Sequence, residues 1–406
     1  MNVLVINSGS SSLKFGLFDA RSTWDASRTL LHGQIDGIGH SPTMQVWSAG
    51  GTITRSVDAK SSRDAIGLAL ASIRETSTSD RANVEAVGHR VVHGGSRFVS
   101  PTLLDEPTLS ALEALNELAP LHNPAAIEGI RATRDLLGAE VPEVAVFDTA
   151  FHATLPEEAY TYALPFGMSA RRQVRRYGFH GTAHEYMLRR YSQLAGIAPE
   201  EATIITLQLG NGCSATAIKN GRSVDTSMGF TPLAGLVMGT RPGDLDPGVT
   251  GYLAEKEGLS PEQVNLLLNR QSGLLGISGL SGDMRDLISA AEKNPRAQLA
   301  IDVFCYAVRK YIGAYLAALG GADAVVFGGG IGENSPAIRA HICGGLEWCG
   351  LRLDPVRNSA AVGTEDKISA DGASLEAYVL NVNEDILIAQ HTADAVRAHK
   401  HSSAEC

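Results

Sequence analysis

Two stretches far apart in the chain share one pattern: an apolar run, a turn of small polar residues, and a second apolar run. The first is Val3-Leu4-Val5-Ile6, then Asn7-Ser8-Gly9-Ser10-Ser11-Ser12, then residues 13–19. The second is residues 203–207, then Gln208-Leu209-Gly210-Asn211-Gly212-Cys213-Ser214, then residues 215–218. Each reads as strand, turn, strand. Small residues in such a turn let backbone N–H groups converge on an anion, and serine hydroxyls add donors. Lys14 places a cation beside the first turn. Either segment alone also reads as an ordinary hairpin with a polar turn. The pair, one in each half, points to a duplicated fold that grips a polyphosphate from both sides.

A chain of 406 residues exceeds one ordinary core, so two domains are expected. Hydrophobic content of 44% with 19% charged residues is that of a soluble globular protein. No apolar run is long enough to span a membrane, and the amino terminus enters a strand without a signal-peptide pattern. The formal charge of −10 argues against a nucleic-acid surface, so any bound phosphate must be held by local arginines and backbone donors. The cysteines at 213, 305, 343, 349 and 406 are odd in number and lack paired metal-ligand spacing, which favours free thiols in a reducing cytoplasm.

Along the chain, residues 31–55 read as short strands broken by glycines, and residues 64–74 as a helix followed by a polar break at Ser77-Thr78-Ser79. Residues 84–92 read as a buried strand running into His93-Gly94-Gly95. Helices are expected over 109–118 and 124–137, and a strand over 144–147 with Asp148 at its carboxyl end. The clearest helix is 298–319, with apolar residues at three-four spacing and Gly320-Gly321 after it. Strand 324–327 then delivers Gly328-Gly329-Gly330-Ile331-Gly332-Glu333-Asn334. This alternation makes the chain α/β.

Eight segments, in order and spacing, carry a resemblance over residues 3 to about 390: 7–14, 88–95, 147–152, 176–184, 209–214, 225–246, 272–285 and 329–335. The chain resembles the acetate kinase family. The resemblance implies two ribonuclease-H-like domains, a duplicated actin-like ATPase fold with a cleft between them. The expected domains are 1–150 with a C-terminal helix at about 386–400, and a nucleotide-binding domain over 151–385. It further implies phosphoryl transfer from ATP to acetate, giving acetyl phosphate and ADP, with Mg²⁺ or Mn²⁺, in a cytoplasmic homodimer.

Phosphoryl transfer between two anions needs positive charge and donors where the moving group becomes planar. Arg90 and Arg241 each end an apolar segment beside glycine-rich backbone, and a guanidinium can hold carboxylate and phosphoryl oxygens by paired hydrogen bonds. The resemblance makes both of them clamps, puts His180 on the transferring phosphoryl group, and gives Asp148 a role in orienting the arginines or handling protons. The nucleophile is already a carboxylate, so orientation is favoured. His180 and His184 stand at i and i+4, but Gly181 follows His180, so the zinc signature H-E-x-x-H is absent.

By the same resemblance Asn7 and Glu384 are metal-site positions, with Asp385 an adjacent alternative. The nucleotide falls to Ser10, Ser12 and Lys14, to Gln208, Leu209, Gly210, Asn211 and Gly212, to Asp283, Met284 and Arg285, and to Gly330, Ile331, Gly332, Glu333 and Asn334. A dinucleotide fold is disfavoured because the third glycine of G-x-G-x-x-G would fall at Glu333. Val92, Leu121, Phe179 and Pro232 occupy the acyl-pocket positions beside Arg90, and Val92 argues for acetate over propionate.

The sequence departs from the family at Gln208, where histidine is usual, at Ala234 where an acidic residue is common, at Pro242 after Arg241, and at Gly328 where a small hydroxyl residue is usual. The alternatives are a propionate or butyrate kinase, a pyrophosphate-dependent acetate kinase, or a non-catalytic nucleotide-binding scaffold.

Overall fold

The computed structural model describes residues 1–20, 28–76 and 83–404. The polar break at Ser77-Thr78-Ser79 and Cys406 lie outside the described residues. The chain divides into two compact units, one of residues 1–150 with 383–406 and one of residues 151–382.

The first unit is built on strands β1 (Asn2–Ser8), β2 (Ser12–Asp19), β3 (Arg28–Asp36), β4 (Thr43–Ser48), β5 (Gly51–Ser56), β6 (Ala86–Val91), β7 (Thr102–Leu103) and β8 (Glu143–Phe147). Their order in the sheet is β5-β4-β3-β2-β1-β6-β8-β7. Strands β1, β2 and β3 form an antiparallel meander, whereas β1, β6 and β8 run parallel. Parallel strands are buried on both faces and read as continuous apolar runs, as Val3-Leu4-Val5-Ile6 does. Successive side chains point to opposite faces. Leu4 and Ile6 therefore pack with Ile66, Leu70 and Ala132 of the helices Ser62–Thr76 and Asn123–Leu137. Val3 and Val5 pack with Ile388, Ala389, Ala393 and Val396 of the helix Glu384–Ala404. That last helix approaches β6 closely, because a Cβ on Gly88 would lie 2.3 Å from Thr392 Oγ1.

The second unit holds β9 (Thr203–Leu209), β10 (Cys213–Lys219), β11 (Arg222–Thr226), β12 (Ala324–Gly328), β13 (Asp366–Lys367) and β14 (Glu376–Val379), in the order β11-β10-β9-β12-β14-β13. Here β9, β10 and β11 form the antiparallel meander, and β12 and β14 continue parallel to β9. The order β11-β10-β9-β12-β14 thus repeats β3-β2-β1-β6-β8 in strand directions as well as sequence. This is the ribonuclease-H-like topology in duplicate. Met187, Leu188 and Tyr191 of the helix Gly181–Ala195 cover one face of this sheet. The long helix Pro295–Leu319 buries Ile301, Phe304, Val308, Ile312, Tyr315 and Leu319.

Some boundaries differ from the sequence reading. The helix expected over 109–118 is an α-helix Glu106–Glu113 followed by a 3-10 turn Ala114–Glu117. Asp105 caps it by accepting from the Thr108 N–H, and Pro107 stands in its first turn, where no intrahelical donor is needed. The segment after β12 is a short helix, Gly329–Asn334, entered through Gly329 at φ +75°. Among the described residues no helix is long and apolar enough to cross a membrane.

Candidate functional site

In the first unit the functional candidates gather at the carboxyl ends of adjoining parallel strands, where ligands of open α/β sheets bind. Ile6 pairs with His89 and Val91 with Phe147, so Asn7, Arg90 and Asp148 stand at neighbouring strand ends. Arg90 donates from Nε to Asp148 Oδ1 and from Nη2 to Asp148 Oδ2, each at 2.8 Å. Glu384 Oε2 lies 3.7 Å from Arg90 Nη2. Burial opposes the Arg90 charge, but Asp148, Glu384 and Asp385 outweigh it and raise its pKa. Burial likewise pushes the Glu384 and Asp385 carboxyls up, with Arg90 and Lys14 pulling them back. Among the described residues Glu384 Oε2 is buried with no hydrogen-bond partner.

The backbone after Arg90 is held by side chains that the sequence reading did not single out. The amide of the buried Asn123 accepts from the His93 N–H at 3.2 Å and donates to the His93 carbonyl at 3.0 Å. Thr149 Oγ1 accepts from the Gly94 N–H. In the first turn the Gly9 N–H closes on the Ser12 carbonyl at 2.8 Å, Ser10 and Lys14 are exposed and Ser12 is half-buried. Val92 is half-buried, whereas Leu121 is 49% exposed.

In the second unit the turn between β9 and β10 is the centre. A Cβ on Gly212 would lie 2.6 Å from Arg241 Nη2 and 3.4 Å from His180 Nε2, so bare backbone there lets both side chains crowd the turn. Arg241 Nη1 donates to the Pro232 carbonyl at 2.7 Å, and the Gly239 N–H donates to the Asn211 carbonyl, which ties the loop of Arg241 to the turn. Burial lowers the Arg241 pKa, partly opposed by Cys213. His180 has φ +59°, an unusual conformation for a residue with a side chain, just before the helix Gly181–Ala195. Its Nδ1 meets Ser214 Oγ at 2.9 Å. Phe179 is fully buried, and its carbonyl accepts from His152 Nε2 at 3.0 Å. Arg176 Nη1 donates to the carbonyls of Thr226, Ser227 and Met228 and so fixes the start of the 225–246 loop.

A cavity of about 790 Å³ adjoins this turn. Gly210 and Asn211 line it together with Asp283, Met284 and Arg285, and with Gly330, Ile331 and Asn334. Three separated sequence segments therefore share one wall. Ile288 and Ser289, which carry no motif, also line it. Glu333 is occupied otherwise: its Oε1 accepts from the N–H groups of Gly329 and Val382. Gly332 is buried behind it, and Leu209 is a core residue. Gln208 faces neither a donor nor the cavity: its Oε1 is buried with no hydrogen-bond partner among the described residues. A Cβ at Gly328 would lie 2.5 Å from Val382 Cγ2 and 2.8 Å from Met187 Sδ, which explains why glycine stands there in this packing.

Residues 2–390 match the acetokinase family. The acetate kinase of Solibacter usitatus is 50% identical over 412 aligned positions, covering 99% of this chain and 100% of that protein. The crystal structure of Porphyromonas gingivalis acetate kinase superposes with a TM-score of 0.90 at 38% identity, covering 97% of this chain and 99% of that one. The structure of a propionate kinase from Francisella tularensis subsp. tularensis SCHU S4 superposes with a TM-score of 0.89 at 38% identity and the same coverage. Matched over nearly its whole length by sequence and by structure, this chain belongs to the acetokinase family.

Proposed function

We propose that the chain transfers the γ-phosphoryl group of ATP reversibly to acetate, giving acetyl phosphate and ADP. The observation that carries this reading is the Gly212 turn, where Arg241 and His180 crowd bare backbone whose neighbours Gly210 and Asn211 line the 790 Å³ cavity. The cavity has room for a nucleoside, which favours ATP over pyrophosphate as donor. A carboxylate oxygen of acetate attacks the γ-phosphorus while the bond to the β,γ-bridging oxygen breaks, so no base is needed to create the nucleophile. Arg241 and His180 balance charge on the transferring oxygens. Arg90 binds the acceptor carboxylate, and Asp148 orients Arg90 through its two-point contact.

A divalent cation, Mg²⁺ or Mn²⁺, neutralises phosphate charge when bound. Glu384 Oε2, which has no hydrogen-bond partner among the described residues, and the amide oxygen of Asn7 are hard donors suited to it, and such ions keep several waters. Homodimeric assembly and a cytoplasmic location belong to the same proposal, by family likeness.

Propionate is the second candidate acceptor, favoured by the fit to the propionate kinase structure. Val92 and Pro232 are each half-buried. Hydroxylamine trapping of acyl phosphate with acetate, propionate and butyrate, each with ATP or pyrophosphate, tests the reading. Acetate with ATP is expected to give the highest kcat/KM, and no hydroxamate from any pair would overturn it.

A further inference from the structure

Behind His180 runs an unbroken chain of hydrogen bonds. His180 Nδ1 meets Ser214 Oγ at 2.9 Å, Ser214 Oγ meets His184 Nε2 at 2.8 Å, and His184 Nδ1 meets Thr206 Oγ1 at 2.7 Å. Thr206 Oγ1 also lies 3.5 Å from the Thr216 carbonyl. Ser214, His184 and Thr206 are each 0% exposed. A buried polar group left without a partner costs about 1–3 kcal/mol, so every link must stay made.

The donor inventory allows two complete arrangements. In the first, Thr206 donates to His184 Nδ1, His184 Nε2–H donates to Ser214, and Ser214 donates to His180 Nδ1. His180 is then neutral with its proton on Nε2. In the second, His180 is a cation whose Nδ1–H donates to Ser214. Ser214 donates to His184 Nε2, His184 Nδ1–H donates to Thr206, and the threonine hydroxyl turns to the Thr216 carbonyl. The two differ by one proton, drawn from solvent, and by exchange of His184 between its neutral tautomers. No buried group loses its partner in either.

We propose that Ser214, His184 and Thr206 are positioning residues that let His180 become cationic by switching the tautomer of His184. The significance for catalysis rests on the function proposed above, whereas the switch itself does not. His184 is suited to this part because burial, with His152 and His180 nearby, holds its pKa well below the usual histidine range and so favours its neutral form. Other polar groups border the chain. His152, whose ring centre is 5.7 Å from that of His184, donates from Nε2 to the Phe179 carbonyl and so accepts at Nδ1 from Ser223 when neutral. Arg241 Nη2 and His180 both approach Gly212, and burial pushes the Cys213 thiol up to about 12.

Long-range ¹H–¹⁵N correlation spectra of the histidine rings, recorded on the full chain without substrates across the titration of His180, test this. The expected result is that His184 stays neutral but moves its proton from Nε2 to Nδ1 with the same midpoint as His180. Ser214→Ala removes the hydroxyl that joins the two rings, so it should abolish the coupled exchange. A His184 tautomer indifferent to His180 in the wild-type protein would overturn the proposal, and so would a coupled exchange that survives in Ser214→Ala. Should the coupling be present and acyl phosphate formation absent, only the functional reading falls. Coupling absent from an active kinase removes only the switch.

Discussion

Arg90 and Asp148 meet at two points, Nε to Oδ1 and Nη2 to Oδ2, both at 2.8 Å, with the arginine side chain one-fifth exposed and the aspartate almost fully buried. The pair comes from the ends of two parallel strands, β6 and β8, so the sheet itself sets the direction of the guanidinium. Asp148→Asn keeps the size but removes the charge and one of the two acceptors. Turnover should fall at least about tenfold with a higher KM for acetate, as expected for a clamp that has lost its orientation. An unchanged acetate KM would mean that Asp148 does not act through Arg90.

Arg90→Ala and Arg241→Ala should each lower kcat by at least about a hundredfold, the usual cost of removing a group that meets charge in the transition state. Near-normal turnover in either variant removes that arginine from the mechanism.

Gly212→Ala is a sharper probe of the second turn. The new methyl group would sit 2.6 Å from Arg241 Nη2, so the guanidinium must move. We expect kcat to fall at least about tenfold while the KM for ATP changes by less than about threefold, since Gly212 is not part of the cavity wall. Equal losses in both parameters would place Gly212 in nucleotide binding instead.

The two turns and both arginines are legible because each is a local signal: a strand pattern, a run of small residues, an arginine closing an apolar segment beside glycines; His180 is marked by the family resemblance alone. The chain His180–Ser214–His184–Thr206 is not legible, because its members come from one helix and two strands that only the folded sheet brings together. Asn123 was hidden for the same reason, since its partner His93 is 30 residues away. Ile288 and Ser289 carry no motif and line the cavity only through the direction of their helix. The early start of the helix Glu106–Glu113 is encoded in the Asp105 cap rather than in the apolar spacing, which begins only at Leu109.

Gln208 supplies a prediction about a departure from the family. Its Oε1 is buried without a donor among the described residues, and the residue does not line the cavity. Gln208→His introduces a group that is charged below about pH 6.5, but one placed away from the cavity wall. The kcat/KM for ATP should therefore change by less than about threefold across the pH profile. A larger gain confined to the acidic end would show that position 208 reaches the phosphoryl group after all.

His93 links stability to pH. Burial lowers its pKa from 6.5 to about 4, so the folded protein keeps it neutral where the unfolded chain takes up a proton. Between these values the unfolded state binds more protons, and stability therefore rises with pH. On acidification from pH 7 the contribution begins to disappear near 6.5 and is lost towards 4, an effect of up to about 3 kcal/mol. Urea midpoints of wild type and His93→Gln, measured from pH 7 to 5, should converge as the pH falls. Parallel curves would show that His93 is not the group responsible.

Transfer of phosphoryl from ATP to acetate is tested most directly by ³¹P NMR of the purified protein with ATP, acetate and Mg²⁺. An acetyl phosphate resonance should grow in equal amount with ADP, dependent on acetate and lost in Arg241→Ala. Release of inorganic phosphate with or without acetate, or ATP left intact, would contradict it.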